Sequence, residues 1–537
     1  MATMASRKSC VALLGLALLP SCSFIVGDDW ADPPPLDGSI DAAVPDAALD
    51  AALPDATVDA AVVDAAVADA AIDVAVHDAN GDAITVSGVQ PNTPLEEGAT
   101  YALLFTGNNI TSDVVVAAND TGVTINQSSK QVSTDSTRLT IQVTIPPDGT
   151  RGEAAPRSFQ FTFTHGTSVV NVGAMIQPRD ELTLAAGNFN GTLRARYSRV
   201  TLSNAVTFRG NGAPIRIVSN GDISISANVD GSADLGTPGR GGCVGGVNQG
   251  GTTAAGCGTS GGSQGSNAPG ITSAGQGGAG GGHAAVGNNG SGATGGAMAG
   301  DVFLAKLGNS AADESRGNGG GAGGSGGVGN AGAGGAGGGT IELTAGGTLR
   351  VEADILTNGG AGSSGTGLLA CATAGGQGGG GSGGALLLRA AGGLTVVGSR
   401  TLSSQGGAAG TPGSCTNIGG SGSSGRIRID APAATITGLT ATPAARRGPM
   451  WAASTPLMVT SQSQTFTLIG APSQQYFVVI ADMGAMMPFT TDVSGMVNVQ
   501  VPSLPLGHSR ICALVPGATF NANSEGQNCR TVLVFAP

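Results

Sequence analysis

GGGTIELTAGGTLRVEADILTNGGAG, Gly337 to Gly362, sets apolar residues on alternate positions between two glycine tracts. Alternation of period two is the signature of strands with one buried face. Starting from Ile341, Leu343, Ala345, Gly347, Leu349, Val351, Ala353 and Ile355, the same pattern recurs at a uniform offset of 126 as Ile215, Ile217, Ser219, Gly221, Ile223, Ile225, Ala227 and Val229. A third copy runs Leu386, Leu388, Ala390, Gly392, Leu394, Val396, Gly398, and a worn fourth starts at Arg426-Ile427-Arg428-Ile429 and ends near Ile436. Val200, Leu202, Val206 and Phe208 suggest one or two earlier strands that begin the series. A unit of about 20 residues cannot bury its own apolar face, whereas stacked units give each inward residue a neighbour about 4.8 Å above and below. Residues 186–442 are therefore expected to form a short right-handed parallel β-helix or solenoid with aliphatic ladders inside. The competing reading is a β-sandwich interrupted by low-complexity insertions.

Glycine-rich excursions at about 232–338, 358–384 and 404–425 leave from an equivalent corner of each copy. Such tracts either flex freely or pack backbone against backbone, as in polyglycine-II bundles related to the polyproline-II helix, and the sequence leaves both open. Cys371 and Cys415 lie 44 apart, close to the repeat offset, so a disulfide between them would place consecutive loops side by side. Cys243 and Cys257 would then pair within the first loop, and Cys512 with Cys529 near the C-terminus.

Residues 83–182 hold seven short alternating segments, from ITVSGV to SVVNVGAMI, punctuated by Asn, Asp, Gly and Pro turns, which predicts an immunoglobulin-like sandwich. VSGVQPNTPLEEGATYALLFTGNNI at its start resembles the opening of IPT/TIG domains, a family of such sandwiches. The resemblance implies a spacer or interaction module and carries over no functional residue. Residues 445–537, with PLMVTS, QTFTLIG, YFVVIAD, VNVQVP, HSRICALV and RTVLVFA, fit a second small β-sandwich. The expected fold class is all-β throughout: immunoglobulin-like sandwich, parallel β-helix with glycine-rich loops, C-terminal β-sandwich.

The 537 residues include 94 glycines, 3% aromatics and 11% charged residues, which leaves little side chain for a charge-rich active site. Net charge is −12, but residues 28–82 carry 14 Asp with no Lys, Arg or Glu. With Arg7 and Lys8 set aside, everything from residue 83 onward is neutral, and no basic surface suited to nucleic acid is expected. Asp residues four or five apart, interrupted by Pro45 and Pro54, keep no face on a helix, so residues 23–82 are expected to be a disordered, solvated linker spanning roughly 40 Å. Residues 1–22 read as an export signal: Arg7 and Lys8 precede the short apolar run VALLGLALL. Leu19-Pro20-Ser21-Cys22 resembles the lipobox of bacterial lipoprotein precursors, which implies acylation at Cys22 and anchoring to a membrane through lipid, with Ser23 compatible with outer-membrane sorting. Cys10 leaves with the signal, and an even number of remaining cysteines in an exported chain favours disulfides.

Solenoids often carry polysaccharide-cleaving sites, which need clustered carboxylates. Glu342, Glu352 and Asp354 are the one place to look, and their alternation with inward residues predicts three solvated side chains. An ice or lattice binder would need a threonine row, and Thr340, Thr344 and Thr348 occur in one copy. His77, His165, His283 and His508 are scattered, the glycine tracts hold no calcium-binding G-G-x-G-x-D, and chance G-x-G-x-x-G matches precede no helix. No catalytic, cofactor or metal residue is expected. Taken together, the lipobox, Asp-Ala spacer, immunoglobulin-like module and glycine-rich repeats resemble predicted surface lipoproteins of deltaproteobacteria such as myxobacteria. That resemblance implies a non-enzymatic, lipid-anchored protein of the outer membrane or cell surface with a structural, adhesive or display role. Extracellular polysaccharide or another envelope protein would be its partner. The alternative is a polysaccharide-acting enzyme or a carbohydrate- or ice-binding module.

Overall fold

The computed structural model describes residues 83–535 except 148–155, 250–251, 259, 270–272, 299–316, 324, 326–328, 367–372, 412–416, 433–437, 453, 482, 485 and 517–527. The expected signal, linker and Cys22, as well as Cys371 and Cys415, lie outside the described residues. The described chain is all-β.

The repeated copies pair strand to strand in parallel. Ile215–Ser219 lies against Thr340–Ala345 with Ile215 opposite Ile341 and Ile217 opposite Leu343, so the offset of 126 is also the pairing register. Thr340–Ala345 in turn pairs with Ala385–Ala390, and Ala385–Ala390 with Arg426–Asp430, each time aliphatic opposite aliphatic. These strands and Arg446–Arg447 make a first parallel sheet. The glycine bend in each copy leads to a second sheet, in which Ile223–Ile225, Thr348–Val351 and Gly393–Val396 follow one another, preceded by Arg199–Leu202 and Glu181–Thr183. A third sheet collects Gly187–Asn188, Val206–Thr207, Val229–Asp230, Ile355–Leu356, Arg400–Ser403 and Leu439–Thr442. Branched aliphatics suit these short strands because they fill the space between rungs without polar atoms. One core results, built from Ile217, Leu343, Leu388 and Ile429 on one wall and Ile225, Val351 and Val229 on the others, with Phe208 near its start.

Two boundaries move. Glu181–Thr183 already belongs to the coil stack, within the segment 83–182 expected for the first sandwich. Arg446–Arg447 still pairs with Arg426–Asp430, so the last module begins at Met450–Trp451, after residue 445. In both places the connection is only two or three residues long, Pro178-Arg179-Asp180 before the first and Gly448-Pro449 after the second.

Before the coils, two four-stranded sheets enclose a single core. Thr100–Asn108 and Arg138–Thr144 are central in one, and Arg157–His165 and Ser168–Gln177 pair in the other. Their inward Phe105, Phe161 and Phe163 meet edge to face with centroids 4.8 to 5.3 Å apart. After the coils, a three-stranded and a five-stranded sheet enclose Trp451, Phe466, Tyr476 and Val532.

The modules are joined through named contacts. At the first coils, Asn220 Nδ2 donates to Glu97 O at 3.0 Å and Arg196 Nη1 to Glu96 Oε2 at 3.1 Å. Burial works against a charged Glu96, but the hydrogen bond from Arg179 and the charges of Arg196 and Arg179 prevail and hold its carboxyl below the ordinary value. The last module touches the first: Ala102 and Leu104 pack on Leu533 and Phe535, and His508 Nε2 donates to Ala102 O at 2.9 Å. It also reaches the coils, where Asn528 Nδ2 donates to Asp430 Oδ2 at 3.0 Å.

Candidate functional site

The glycine tracts leave the third sheet after Val229–Asp230, Ile355–Leu356 and Arg400–Ser403 and return to the first, so each starts at the same corner. They are not loose loops. Residues 377–384 donate in a strict cycle of three: Gln377, Gly380 and Gly383 to the carbonyls of Asn417, Gly420 and Ser423 at 3.3, 2.8 and 2.9 Å. Gly378, Gly381 and Gly384 donate to Ser363, Gly360 and Thr357 at 3.0, 2.9 and 2.8 Å, and Gly379 and Ser382 to Gly321 and Asn318 at 2.9 and 2.8 Å. Acceptance follows the same cycle. Gly332, Gly335 and Gly338 donate to Gly376, Gly379 and Ser382; Gly275, Gly278 and Gly281 to Ala374, Gln377 and Gly380; Gly407 and Gly410 to Gly381 and Gly378.

A period of three is that of the polyproline-II conformation, in which successive peptide groups turn by a third of a circle and make no bonds within their own run. Run 377–384 therefore has neighbours on six sides, three accepting from it and three donating to it. Its backbone polar groups are paired without any sheet, which meets the demand that buried peptide groups be satisfied.

Glycine is required by distance. A Cβ on Gly378, Gly379, Gly380 or Gly381 would lie 1.9, 2.0, 2.1 or 2.1 Å from the carbonyl oxygens of Ala333, Ala279, Gly407 and Ala336. Side chains enter where they add bonds: buried Asn318 donates from Nδ2 to Gly282 O at 2.7 Å, and the buried His283 ring pairs through Nδ1 with Gly383 O at 2.8 Å. Cys243 and Cys257 form a disulfide within the first glycine tract, Cα atoms 5.5 Å apart. Cys512 and Cys529 face each other across the antiparallel pair Gly507–Leu514 and Asn528–Val534 and are also bonded.

The three carboxylates singled out in the sequence do not converge. Glu342 lies on the first sheet, whereas Glu352 and Asp354 sit in the turn between Thr348–Val351 and Ile355–Leu356. The expectation of three solvated side chains fails for Glu342, which is 1% exposed. Its Oε1 accepts from Arg389 Nη1 at 3.0 Å and its Oε2 lies 3.3 Å from Arg216 Nε. Alternation correctly turned Glu342 away from the aliphatic interior, but period two cannot tell an outer face in water from one that is covered. Glu352 is ion-paired with Arg350, and Asp354 Oδ1 accepts from Thr401 N at 2.7 Å. Thr340, Thr344 and Thr348 stand opposite Ala385, Arg389 and Gly393 on the next coil, so no threonine row forms.

Arg389 links Glu342 to Asp430, whose Oδ2 accepts from Arg389 Nε at 3.1 Å and from Arg428 Nη2 at 2.6 Å. Full burial opposes charge on Asp430, yet the nearby Arg428 and Arg389 and their hydrogen bonds outweigh it and lower its pKa. This buried chain of charges escaped the sequence reading. Its signal was present in Arg426-Ile427-Arg428-Ile429-Asp430, where charged residues alternate with aliphatic ones in register with Glu342 and Arg389. Among the described residues no group of three or more His, Cys, Asp or Glu side chains is placed to hold a metal ion.

No protein-family model matches the chain, and no curated protein matches it.

Proposed function

We propose that the protein is a non-enzymatic surface lipoprotein that holds its glycine lattice and flanking sandwiches outward as a structural, adhesive or display body. The observation that carries this reading is the bonding of run 377–384 to neighbours on six sides, which turns a tract of small residues into a firm layer fixed to the coils. Contacts of Asn220 with Glu97 and of Asn528 with Asp430 join that layer's support to both sandwiches, and His508 with Ala102 joins the sandwiches to each other. A solid body of this kind suits mechanical and recognition roles at an interface. Two disulfides are consistent with an oxidising compartment outside the cytosol. In this reading Cys22 takes lipid, residues 23–82 form the tether, and the kinship is with surface lipoproteins of deltaproteobacteria.

The test is made on whole cells. Membrane-impermeant biotinylation should label the protein on intact cells, metabolic palmitate should label it through Cys22, and Cys22→Ala should release it from the membrane fraction. Palmitate labelling that persists in C22A, or biotinylation only after lysis, overturns the reading.

A further inference from the structure

The first sandwich leaves one strand edge unguarded. Ser168–Gln177 pairs on one side with Arg157–His165 from Ser168 to Ile176, and on the other only with Leu95–Glu96, at Ile176 and Gln177. On that second side Gln177 O accepts from Glu97 N at 3.2 Å. Peptide groups alternate in direction along a strand, so Asn171, Gly173 and Met175 turn their N–H and C=O groups to the same side. Among the described residues no strand meets them there.

Unpaired edges invite association, and proteins blunt them with bulges, charges or short strands. The other three edges of this sandwich are blunted. Thr85–Gln90 has a register shift between Val86 and Gly88, Thr124–Val132 has one between Asn126 and Gln131 and carries Lys130, and Val115–Ala118 is four residues long. Val169 to Met175 keeps an unbroken register and holds no charged residue or proline. Beside it runs an open groove of about 880 Å³, lined by Val89 and Leu95, by Val172, Ala174 and Met175, and by Leu506 of the last module, which is 54% exposed. Val89, Val172 and Ala174 pack on the sandwich core but are only partly buried. The matching occupant brings peptide groups to the edge and apolar side chains to the core, which describes an extended strand with apolar residues at alternate positions.

The chain holds such a segment close by. Ile72-Asp73-Val74-Ala75-Val76-His77 alternates β-branched residues with small or polar ones, and nowhere else in residues 28–82 do three β-branched residues stand at successive alternate positions. Asn80-Gly81, a strong reversal signal, separates it from Ala83, where the described chain begins. Thr85–Gln90 leads into Leu95–Glu96, which runs parallel to Ser168–Gln177. A segment that doubles back through Asn80-Gly81 thus meets that strand antiparallel. The edge from Asn171 to Met175 is about 13 Å long, which Ile72 to Val76 spans when extended.

We infer that residues 72–76 add to the free edge of Ser168–Gln177 as an antiparallel strand, with Ile72, Val74 and Val76 turned toward Val172 and Ala174 and with Asp73 and Ala75 turned to water. His77 to Asp82 form a short tie to Ala83, which sets an effective concentration on the order of millimolar at the edge and favours this segment over one from a second copy. The free tether then ends near Ala71.

The experiment is amide-resolved hydrogen exchange on the full-length protein in detergent micelles, comparing the wild type with Ala75→Pro, which removes a ladder N–H, and with Ala65→Pro as control. Both substitutions lie before the sandwich and leave its own residues unchanged. The amides of Asn171, Gly173 and Met175 should exchange roughly tenfold or more slowly in the wild type and in A65P than in A75P, at every protein concentration. Equal exchange in the wild type and A75P, loss of protection in A65P, or protection that falls on dilution, the mark of a strand from a second copy, each overturns the inference. Strand addition needs neither lipid nor export, so the surface reading, tested by biotinylation and C22A, stands or falls separately.

Discussion

Gly379→Ala separates a packed glycine lattice from a flexible one. If the tract were an unconstrained coil, the substitution would be neutral or would stabilise the protein by about 0.4–1 kcal/mol, because alanine restricts the unfolded chain. In the lattice the new Cβ lies 2.0 Å from Ala279 O, whereas real Cβ atoms essentially never come within 3.0 Å of such a neighbour. The run must therefore move by about 1 Å. It is held by the bonds from Gly379 N to Gly321 O at 2.9 Å and from Gly335 N to Gly379 O at 2.8 Å, which that movement strains or breaks. Overpacking costs about 1–3 kcal/mol and two hydrogen bonds about 1 kcal/mol each, so the expected loss is about 3–5 kcal/mol. Gly236→Ala is the control, because its Cβ meets nothing within 4 Å and its φ is not positive. It should fall within about 0.5 kcal/mol of wild type. Hydrogen exchange resolved to peptides covering 374–384, together with urea denaturation, measures both. Fast exchange of those amides in the wild type, or G379A indistinguishable from G236A, refutes the packed lattice.

The charge chain supplies two further outcomes. Asp430→Asn takes from buried Arg389 and Arg428 the carboxylate they share, with Glu342 remaining beside Arg389, and should destabilise by about 3–5 kcal/mol in denaturant titration. Because the folded-state pKa of Asp430 is depressed, the stability it contributes is fully present above its unfolded value near 3.8 and is lost as pH falls below that toward the folded pKa. The wild type should accordingly lose stability relative to D430N as acid is added below that point, and parallel pH profiles for the two would contradict the assignment. Glu342→Gln should cost about 3 kcal/mol or more while Glu352→Gln stays within about 1 kcal/mol, since the first carboxylate is buried between two arginines and the second sits in a partly exposed pair. Equal melting temperatures for E342Q and E352Q would show that the covered face is absent in solution. Cys512→Ser opens a loop of sequence separation 17 and should cost about 3 kcal/mol, read as earlier unfolding of the last module, with reductant producing the same loss in the wild type.

Much of the coil stack could be read from spacing. Inward positions repeat with period two, and stacking demands like residues at like heights, so the interval between Ile215 and Ile341 had to be a register once the strands paired. The strand positions in both sandwiches were legible for the same reason. The edges of the modules were not, because the short turns at Pro178-Arg179-Asp180 and Gly448-Pro449 look like any others in the chain and do not say which partner the next strand pairs with. The junction of the three modules was legible in none of its parts: Tyr101, Asn220, Gly392 and Leu533 are far apart in the chain and meet only because the last module folds back onto the first.

Taken alone, the amino-acid order determined that strands alternate, that the copies share one register, that glycine excursions share one corner, and that the acidic charge resides before residue 83. These are local or periodic properties, and a linear pattern is enough to express them. Tertiary structure alone decided that the glycine runs bond to one another in cycles of three and that Glu342 is buried between Arg216 and Arg389. Glycine has the same identity in a loose coil and in a lattice, and an arginine the same identity paired or alone. Which state each adopts depends on what the rest of the chain brings within about 3 Å of it.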